Sequence, residues 1–226
     1  MIRITGDVHG QLAPFERLDR EYLWKPGDML IICGDFCLKR DRAAENAFLD
    51  ALAERPYLIL FVDGNHEDFP ALNALPVEEW HGGKVHRLRP NVLHLMRGQI
   101  FTLCGRTFFT MGGAYSIDRA VRVKGQSWWD EEIPSDAELD EAGANLLACG
   151  KRVDYVLTHQ MPAELIRWKM HAVPDPHEQS LIGFLDYVLF DIQFEHWYCG
   201  HWHEDIPLLP GRVDLLLNDV KELDLH

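Results

Sequence analysis

Long hydrophobic runs are missing from this sequence of 226 residues. The longest ones, such as Tyr57–Val62, are far shorter than the roughly 20 residues that a membrane-spanning helix requires. The chain starts with Met-Ile-Arg-Ile, which is typical of a strand and shows no signal-peptide pattern. We therefore expect a cytoplasmic protein without a membrane span.

Positive charge is also scarce, because 22 lysines and arginines stand against 36 aspartates and glutamates, for a formal net charge of −14. Binding of long nucleic acids depends on lysines and arginines that neutralise successive phosphates along an extended face. We therefore expect no extended nucleic-acid surface. A small anionic substrate is compatible with this composition if the site has its own positive charge, which metal ions would supply.

The cysteine pattern argues against two further classes of protein. The five cysteines are odd in number and include no Cys-x-x-Cys pair, which disfavours a disulfide framework and a thiolate zinc site. The sequence also has no internal repeat and no linker rich in glycine, serine or proline. With 47% hydrophobic residues, it predicts a single globular domain over residues 1–226.

Short apolar runs that end in polar turns recur along the chain, and each has the length and composition of a buried strand. The runs are Ile2–Thr5, Met29–Cys33, Leu58–Val62, Tyr155–Leu157 and Trp197–Cys199. Segments with helical spacing of apolar residues lie between them, namely Leu12–Leu23, Ala43–Leu52, Leu139–Leu147 and Leu181–Leu189. Strands that alternate with helices predict a layered α/β domain.

The middle of the chain departs from this alternation. Val92–Met96, Ile100–Cys104 and Phe108–Met111 are separated by short segments that contain Arg-Gly and Gly-Arg, which are typical of tight turns. We expect these runs to form antiparallel strands joined by hairpins. A further strand is predicted at Val213–Leu217.

Polar turns follow all five strands of the alternating part. In open α/β sheets, ligands bind beyond the carboxyl ends of the strands, so these turns are expected to meet at one edge. Oxygen and imidazole ligands suit Mn²⁺, Fe²⁺, Zn²⁺ or Co²⁺, and seven of them suit two ions that share a carboxylate. The candidate metal ligands are Asp7, His9, Asp35, Asn65, His159, His201 and His203.

Two parts of these turns have more than one interpretation. In GHWH, which begins at Gly200, the histidines are either ordinary loop residues or metal ligands. One intervening residue would place both imidazoles on the same side of an extended segment. Glu67 and Asp68 are either solvated surface residues or groups that orient a ligand imidazole or the adjacent loop.

The ordered motifs DVH, GD, GNHE, a strand-ending histidine and GHWH resemble those of the calcineurin-like metallophosphoesterase superfamily. The resemblance extends from Asp7 to His203. It implies a four-layer α/β/β/α sandwich with mixed sheets and a metal site at the carboxyl ends of the strands. It also implies two divalent metal ions, with Mn²⁺ favoured and Fe, Zn, Co or Ni as alternatives.

The resemblance also implies a role for each motif residue. Asp35 would bridge the two ions and take part in catalysis, and His66 would contact the scissile phosphate and protonate the leaving oxygen. General acid catalysis of this kind contributes about 10²–10⁴-fold in rate. The implied reaction is hydrolysis of a phosphate monoester or diester by a metal-bridging hydroxide. The other ligands would form two groups, Asp7, His9 and His203 for one ion and Asn65, His159 and His201 for the other.

The sequence differs from the protein serine/threonine phosphatase branch of this superfamily at three places. Leu38 stands where that branch has a carboxylate, and Lys39 and Asp63 stand where it has phosphate-binding arginines. These differences argue against phosphoprotein hydrolysis, although Lys39 or Arg40 could still reach a phosphate.

Residues 112–135 concentrate arginines and aromatic residues in an otherwise acidic chain. This segment is a candidate lid or pocket wall in which Tyr115, Arg119 and Arg122, together with Asn65, would bind the substrate. The alternative is a solvated loop whose two tryptophans pack under the domain. The acidic surface favours a small phosphorylated substrate, for which a nucleotide-like molecule is one candidate.

Two other functions are compatible with the same fold. A non-catalytic scaffold that binds protein partners would not need all seven candidate ligands together with His66. A nuclease would require a basic path to the metals, and Arg119, Arg122 and Lys124 are few for that purpose. The residues therefore favour a metal-dependent phosphoesterase.

Overall fold

The computed structural model describes residues 1–36 and 41–223. Its strands are β1 (Ile2–Thr5), β2 (Met29–Ile32), β3 (Leu58–Phe61), β4 (Val77–Trp80), β5 (Gly83–Arg89), β6 (Val92–Leu95), β7 (Ile100–Leu103), β8 (Arg106–Met111), β9 (Tyr155–Thr158), β10 (His196–Cys199), β11 (Ile206–Leu209), β12 (Val213–Leu215) and β13 (Lys221–Leu223). Its α-helices are α1 (Ala13–Glu21), α2 (Arg42–Ala53), α3 (Phe69–Asn73), α4 (Asp136–Ala148), α5 (Ala163–Lys169) and α6 (Gln179–Asp191). Short 3-10 helices lie at Arg119–Val121, Asp130–Glu132 and Pro176–Glu178. Within these ranges, no helix combines the length and the apolar character that crossing a membrane requires.

Two mixed sheets form the centre of the molecule. The first has the strand order β13-β1-β2-β3-β6-β5-β4, and the second has the order β11-β12-β10-β9-β8-β7. Strands β1, β2, β3 and β6 are parallel to one another, and so are β8, β9, β10 and β12. Parallel neighbours require crossover connections, which α1 and α2 provide between the first three strands.

Three clusters of buried apolar residues separate four layers. Because side chains alternate along a strand, Leu30 and Ile32 of β2 pack with Phe15 of α1, whereas Ile31 packs with Leu157 of the other sheet. The third cluster lies between the second sheet and helices α4, α5 and α6. The predicted four-layer α/β/β/α sandwich is thus confirmed.

The alternating part of the sequence folds as predicted. Each of its five predicted strands is present, within one residue of the predicted bounds at either end. The four predicted helices correspond to α1, α2, α4 and α6. Helix α4 begins before the predicted Leu139 because Ser135 and Glu138 form a capping box, in which each side chain accepts a hydrogen bond from the other residue's main-chain amide.

The hairpin predicted between Val92–Met96 and Ile100–Cys104 is wrong. Strand β6 pairs with β3 and β5 in the first sheet, whereas β7 pairs with β8 in the second. All four residues of β6 are buried, so this strand requires neighbours on both sides. The Arg97-Gly98 step therefore carries the chain from one sheet to the other, and only the β7–β8 hairpin was predicted correctly.

Candidate metal centre

All seven candidate ligands lie in turns that follow parallel strands. Asp7 and His9 follow β1, Asp35 follows β2, Asn65 follows β3, His159 follows β9, and His201 and His203 follow β10. The two sheets therefore contribute to one centre, with three turns from the first and two from the second. This is the convergence at the carboxyl ends of the strands that the sequence predicted.

Four of these residues form the tightest group. Asp7, His9, Asp35 and His203 each offer one ligand atom, and these atoms lie within 4.8 Å of one another. His203 Nε2 lies 3.2 Å from Asp7 Oδ2 and 3.0 Å from His9 Nε2. Two carboxylates and two imidazoles are a donor set suited to a borderline divalent cation.

A second group lies on the other side of Asp35. His159 Nε2 is 3.1 Å from Asn65 Oδ1 and 3.4 Å from Asp35 Oδ1. The imidazole of His201 meets that of His159 edge to face, with ring centroids 4.9 Å apart. Asp35 thus directs Oδ1 towards His159, while its Oδ2 lies 3.7 Å from His9 Nδ1 in the first group.

Hydrogen bonds fix which atoms of the second group face each other. His159 Nδ1 donates to the carbonyl oxygen of Cys33 at 2.9 Å, which leaves Nε2 directed into the centre. The amide nitrogen of Asn65 donates to Ser116 Oγ at 2.9 Å, so Oδ1 is the atom that faces His159. Two potential acceptors directed at each other are the arrangement that a cation or a shared proton satisfies.

The residues of the first group also fit a cation. Asp7 Oδ2 is buried and accepts no well-directed hydrogen bond within the described residues. Burial alone would raise the pKa of Asp7, but His159 and His203 hold it below its ordinary value. The hydrogen bond with Asp7 raises the pKa of His203, so a cation bound there would replace a proton on this imidazole. In the second group, burial and His159 lower the pKa of His201 to about 3, whereas Asp35 and Asp7 raise the pKa of His159 against the effect of burial. Ionised carboxylates and neutral imidazoles are the forms in which these side chains bind metal ions.

The backbone of GHWH differs from the prediction. His201 and His203 have φ angles of 73° and 52°, which are left-handed values, so the segment is not extended and strand alternation does not align the two imidazoles. His9 and Asp35 are left-handed as well, with φ angles of 49° and 46°. Such values cost about 1–3 kcal/mol each and cluster at functional sites. The main-chain amide of His201 donates to Asp7 Oδ1 at 3.1 Å, which holds this turn against the first group.

The glycines that precede the ligands are required mainly for close approach. A Cβ atom on Gly34 would overlap the imidazole of His159, and one on Gly64 would overlap the carboxylate of Asp35. Gly34 also has a φ of 98°, a backbone conformation that residues with a side chain rarely adopt. Side chains at these two positions would therefore displace ligands of a neighbouring loop.

Glu67 and Asp68 are not solvated surface residues. Glu67 is fully buried, and its Oε1 accepts hydrogen bonds from the amides of Phe36 at 2.8 Å and Gly64 at 3.4 Å. It thereby connects the turn that carries Asp35 to the turn that carries Asn65, as the second of the two interpretations expects. Asp68 is also buried, and it caps α3 by accepting from the amide of Ala71.

His66 lies beside the metal ligands and next to a cation. Its main-chain amide donates to Asp35 Oδ1 at 3.0 Å, and its ring Nε2 lies 3.9 Å from Asp35 Oδ2. Arg122 Nη2 lies 3.0 Å from His66 Nδ1 and 3.1 Å from Nε2. Burial, with a further contribution from Arg122, lowers the pKa of His66, although Asp35 opposes this effect. Both side chains line a cavity of about 510 Å³ that also reaches His201 and His203.

The other candidate substrate-binding residues have different surroundings. Tyr115 lines this cavity, and Asn65 does so too. Arg119 does not line it, since its Nη2 donates to Glu132 at 2.8 Å and its guanidinium lies between the rings of Tyr115 and Trp128, 4.1 and 4.2 Å from their centroids. Its contacts are those of a residue that holds the 112–135 segment together.

The structure describes one of the three positions at which the sequence differs from the serine/threonine phosphatase branch. Leu38 and Lys39, like Arg40, lie outside the described residues, so the expectations for them stay predictions. Asp63 is described and fully buried, and its Oδ2 accepts from Arg97 Nη2 at 2.6 Å while its Oδ1 lies 3.1 Å from His94 Nε2. At the position where the serine/threonine phosphatase branch has an arginine, this chain therefore has a buried aspartate, and Arg97 is its cationic partner.

Arg97 is the residue that sequence reasoning missed. We interpreted it as part of a hairpin turn, but its Nη2 also donates to the carbonyl oxygen of Glu131 at 2.7 Å, and the amide of Gly113 donates to the carbonyl oxygen of Asp63 at 2.9 Å. The pair thus joins the Asn65 turn to both ends of the 112–135 segment. One feature of the sequence indicates such a pair. Asp63 follows an apolar strand, and an acidic residue that is buried at the end of a strand requires a cationic partner.

Replacing Arg97 by methionine is expected to lower the free energy of unfolding by about 3–5 kcal/mol, because the Asp63 carboxylate would stay buried without its cation. Urea unfolding followed by circular dichroism measures the change. Arg167→Met is the matched control, since Arg167 is half-exposed and pairs with the half-exposed Glu164 on its own helix, so its loss should cost less than about 1 kcal/mol. Equal losses in the two variants would contradict the prediction.

Comparison with known proteins identifies the class of this chain. A family model described as calcineurin-like phosphoesterase matches residues 1–205. The chain therefore belongs to the calcineurin-like phosphoesterase family, whose members are phosphoester hydrolases, and the predicted resemblance is confirmed.

The chain is also similar to two individual proteins, one in sequence and one in structure. The chain is 23% identical over 230 aligned residues to the lariat debranching enzyme of Schizosaccharomyces pombe, covering 89% of this chain and 48% of that enzyme. A crystal structure of a Staphylococcus aureus protein described as a 5'-nucleotidase superposes with a TM-score of 0.52 at 17% identity, covering 97% of this chain and 49% of that one. The chain thus spans about half the length of these two proteins, and the second likeness concerns the fold alone.

Proposed function

We propose that this chain is a metal-dependent phosphoesterase that holds two divalent cations, with Mn²⁺ favoured. The observation that carries the proposal is the carboxylate of Asp35, which directs one oxygen towards the group of Asp7, His9 and His203 and the other towards the group of Asn65, His159 and His201. A carboxylate in this position is suited to bridge two ions. When bound, such ions supply a hydroxide nucleophile at neutral pH and neutralise the phosphoryl oxygens.

The side chains around the centre have separate tasks. His66 holds the proton that the leaving alcohol takes up, since its ring lies beside Asp35 and lines the cavity without belonging to either ligand group. Arg122 binds a phosphoryl oxygen through the Nη2 atom that now contacts His66. Ser116 accepts from both Asn65 and Arg122, at 2.9 and 3.4 Å, and so fixes the distance between them.

The substrate is a small phosphorylated molecule. The cavity of about 510 Å³ is the size of pockets that bind small ligands. A nucleotide-like molecule is one candidate, because the two similar proteins are named as a debranching enzyme and a 5'-nucleotidase. A nuclease is the second candidate on the same grounds, and a scaffold without catalysis is disfavoured because all seven candidate ligands and His66 are present together.

Hydrolysis of p-nitrophenyl phosphate and bis-p-nitrophenyl phosphate tests the proposal. Protein stripped with a chelator should be inactive and should regain activity with Mn²⁺, and the preferred ester distinguishes a monoesterase from a diesterase. Arg122→Met should lower kcat/KM about 10- to 100-fold, the value of one charge-assisted hydrogen bond. Arg167→Met is the control, because Arg167 is half-exposed and pairs with Glu164 on its own helix.

Two sets of results would contradict these expectations. Equal rates with and without restored metal, or a failure to bind metal in calorimetry, would contradict the proposed function. A loss in Arg167→Met as large as that in Arg122→Met would contradict the role of Arg122.

A further inference from the structure

Two strongly exposed apolar side chains line the cavity that contains the candidate metal ligands. Nine large apolar side chains are more than half exposed in the described part of the chain, and Ile117 and Val173 are the two of them that line this cavity. Three others are close to lining residues in the sequence, since Val121 and Val123 flank Arg122 and Trp168 follows Ile166 by two positions. Exposed apolar side chains that lie together mark surfaces that bind apolar groups.

The cavity is lined by two chemically different kinds of side chain. Metal ligands and His66 line it, and so do the apolar residues Ile117, Ile166, Val173, Pro174 and Trp202. The indole nitrogen of Trp202 donates to Gln160 Oε1 at 2.8 Å, so its polar edge is already satisfied and the rest of the ring is apolar. A molecule with its phosphate at the metals would place its remaining part against these apolar walls.

Charge limits how many phosphates the cavity accepts. Beyond the histidines, Arg122 is the single cationic residue that lines the described cavity, whereas Asp118, Asp175 and Glu178 are acidic. A second phosphate, away from the metals, would face these carboxylates without a cation of its own. Like charges brought together in this way oppose binding.

We propose, on the basis of the proposed function, that the substrate has one phosphoryl group esterified to an apolar alcohol, which packs against Ile117 and Val173 in the lining of the cavity. Ile117 and Val173 determine this specificity. They are 84% and 93% exposed, so binding of the alcohol covers side chains that are otherwise in water.

Two phosphate esters test this proposal, 2-(2-naphthyl)ethyl phosphate and glycerol 1-phosphate. Both release an alkyl alcohol, which is a poor leaving group, so they differ mainly in the apolar character of the alcohol. The Mn²⁺-loaded protein should hydrolyse the naphthylethyl ester with a kcat/KM at least about 30-fold higher. The double variant Ile117→Ser, Val173→Ser should lose about tenfold or more on this ester and less than about twofold on glycerol 1-phosphate. Val77→Ser, at an exposed residue of β4 that does not line the cavity, should change neither rate.

A binding measurement separates this proposal from the proposed function. The free alcohol, 2-(2-naphthyl)ethanol, should bind to the Mn²⁺-loaded protein and bind about tenfold more weakly to the double variant, whether or not turnover occurs. Binding with this pattern but no hydrolysis of any ester would retain the specificity and overturn the proposed function. Hydrolysis of both esters at similar rates, or equal effects of the double variant on both, would overturn the specificity and retain the proposed function.

Discussion

Asp35→Asn is expected to abolish metal-dependent hydrolysis, with kcat/KM lowered about 10³-fold or more. Asparagine keeps the shape of the side chain and can still accept from the amide of His66, but it removes the negative charge that lies between His9 and His159. Charge stabilisation by metal ions supplies several kcal/mol, and each 1.36 kcal/mol changes the rate about tenfold. The variant should therefore lose activity because it loses metal, with its fold retained.

Metal content decides whether this explanation holds. After gel filtration, elemental analysis should find about two Mn²⁺ per wild-type chain and at most one per Asp35→Asn chain. Asp214→Asn is the matched control, because Asp214 is a buried acidic residue of β12 that pairs with His196 away from the candidate ligands. A variant at Asp35 that retained two ions and wild-type activity would show that this carboxylate does not bridge.

His66→Gln is expected to show an effect that depends on the leaving group. Hydrolysis of an alkyl ester such as glycerol 1-phosphate should fall about 10²–10⁴-fold, because an alkoxide needs a proton to depart. Hydrolysis of p-nitrophenyl phosphate should fall about tenfold or less, since p-nitrophenolate departs without one. Metal content should be unchanged, because His66 belongs to neither ligand group.

The comparison of the two esters is the informative measurement. His177→Gln serves as a control, since His177 stacks on Tyr115 near the same cavity but hydrogen-bonds Asp175 instead of approaching Asp35. Equal losses on both esters in His66→Gln, or a loss of metal, would assign His66 a role in the metal centre and contradict its role as a proton donor.

Local sequence patterns predicted the elements that carry the candidate site. Runs such as Met29–Ile32 are apolar on both faces, which is typical of a strand buried between two layers, and the polar residues after them follow directly. The sequence therefore predicts that Asp35 and His159 lie at strand ends, whereas their approach to 3.4 Å depends on the tertiary structure. The geometric details of GHWH were not predictable in the same way, because the left-handed backbone of His201 depends on the carboxylate of Asp7, nearly two hundred residues earlier in the chain.

The sequence by itself determined the α/β layering, the five polar turns and the chemistry of the seven candidate ligands, because these depend on periodicity and on residue type within a few positions. The tertiary structure decided that β6 and β7 belong to different sheets, that Arg97 neutralises the buried Asp63, and that Arg122 rather than Arg119 reaches His66. Each of these depends on the partner that a buried group finds across the fold. A strand or a charge must be satisfied when it is buried, but its own sequence does not specify which distant residue satisfies it.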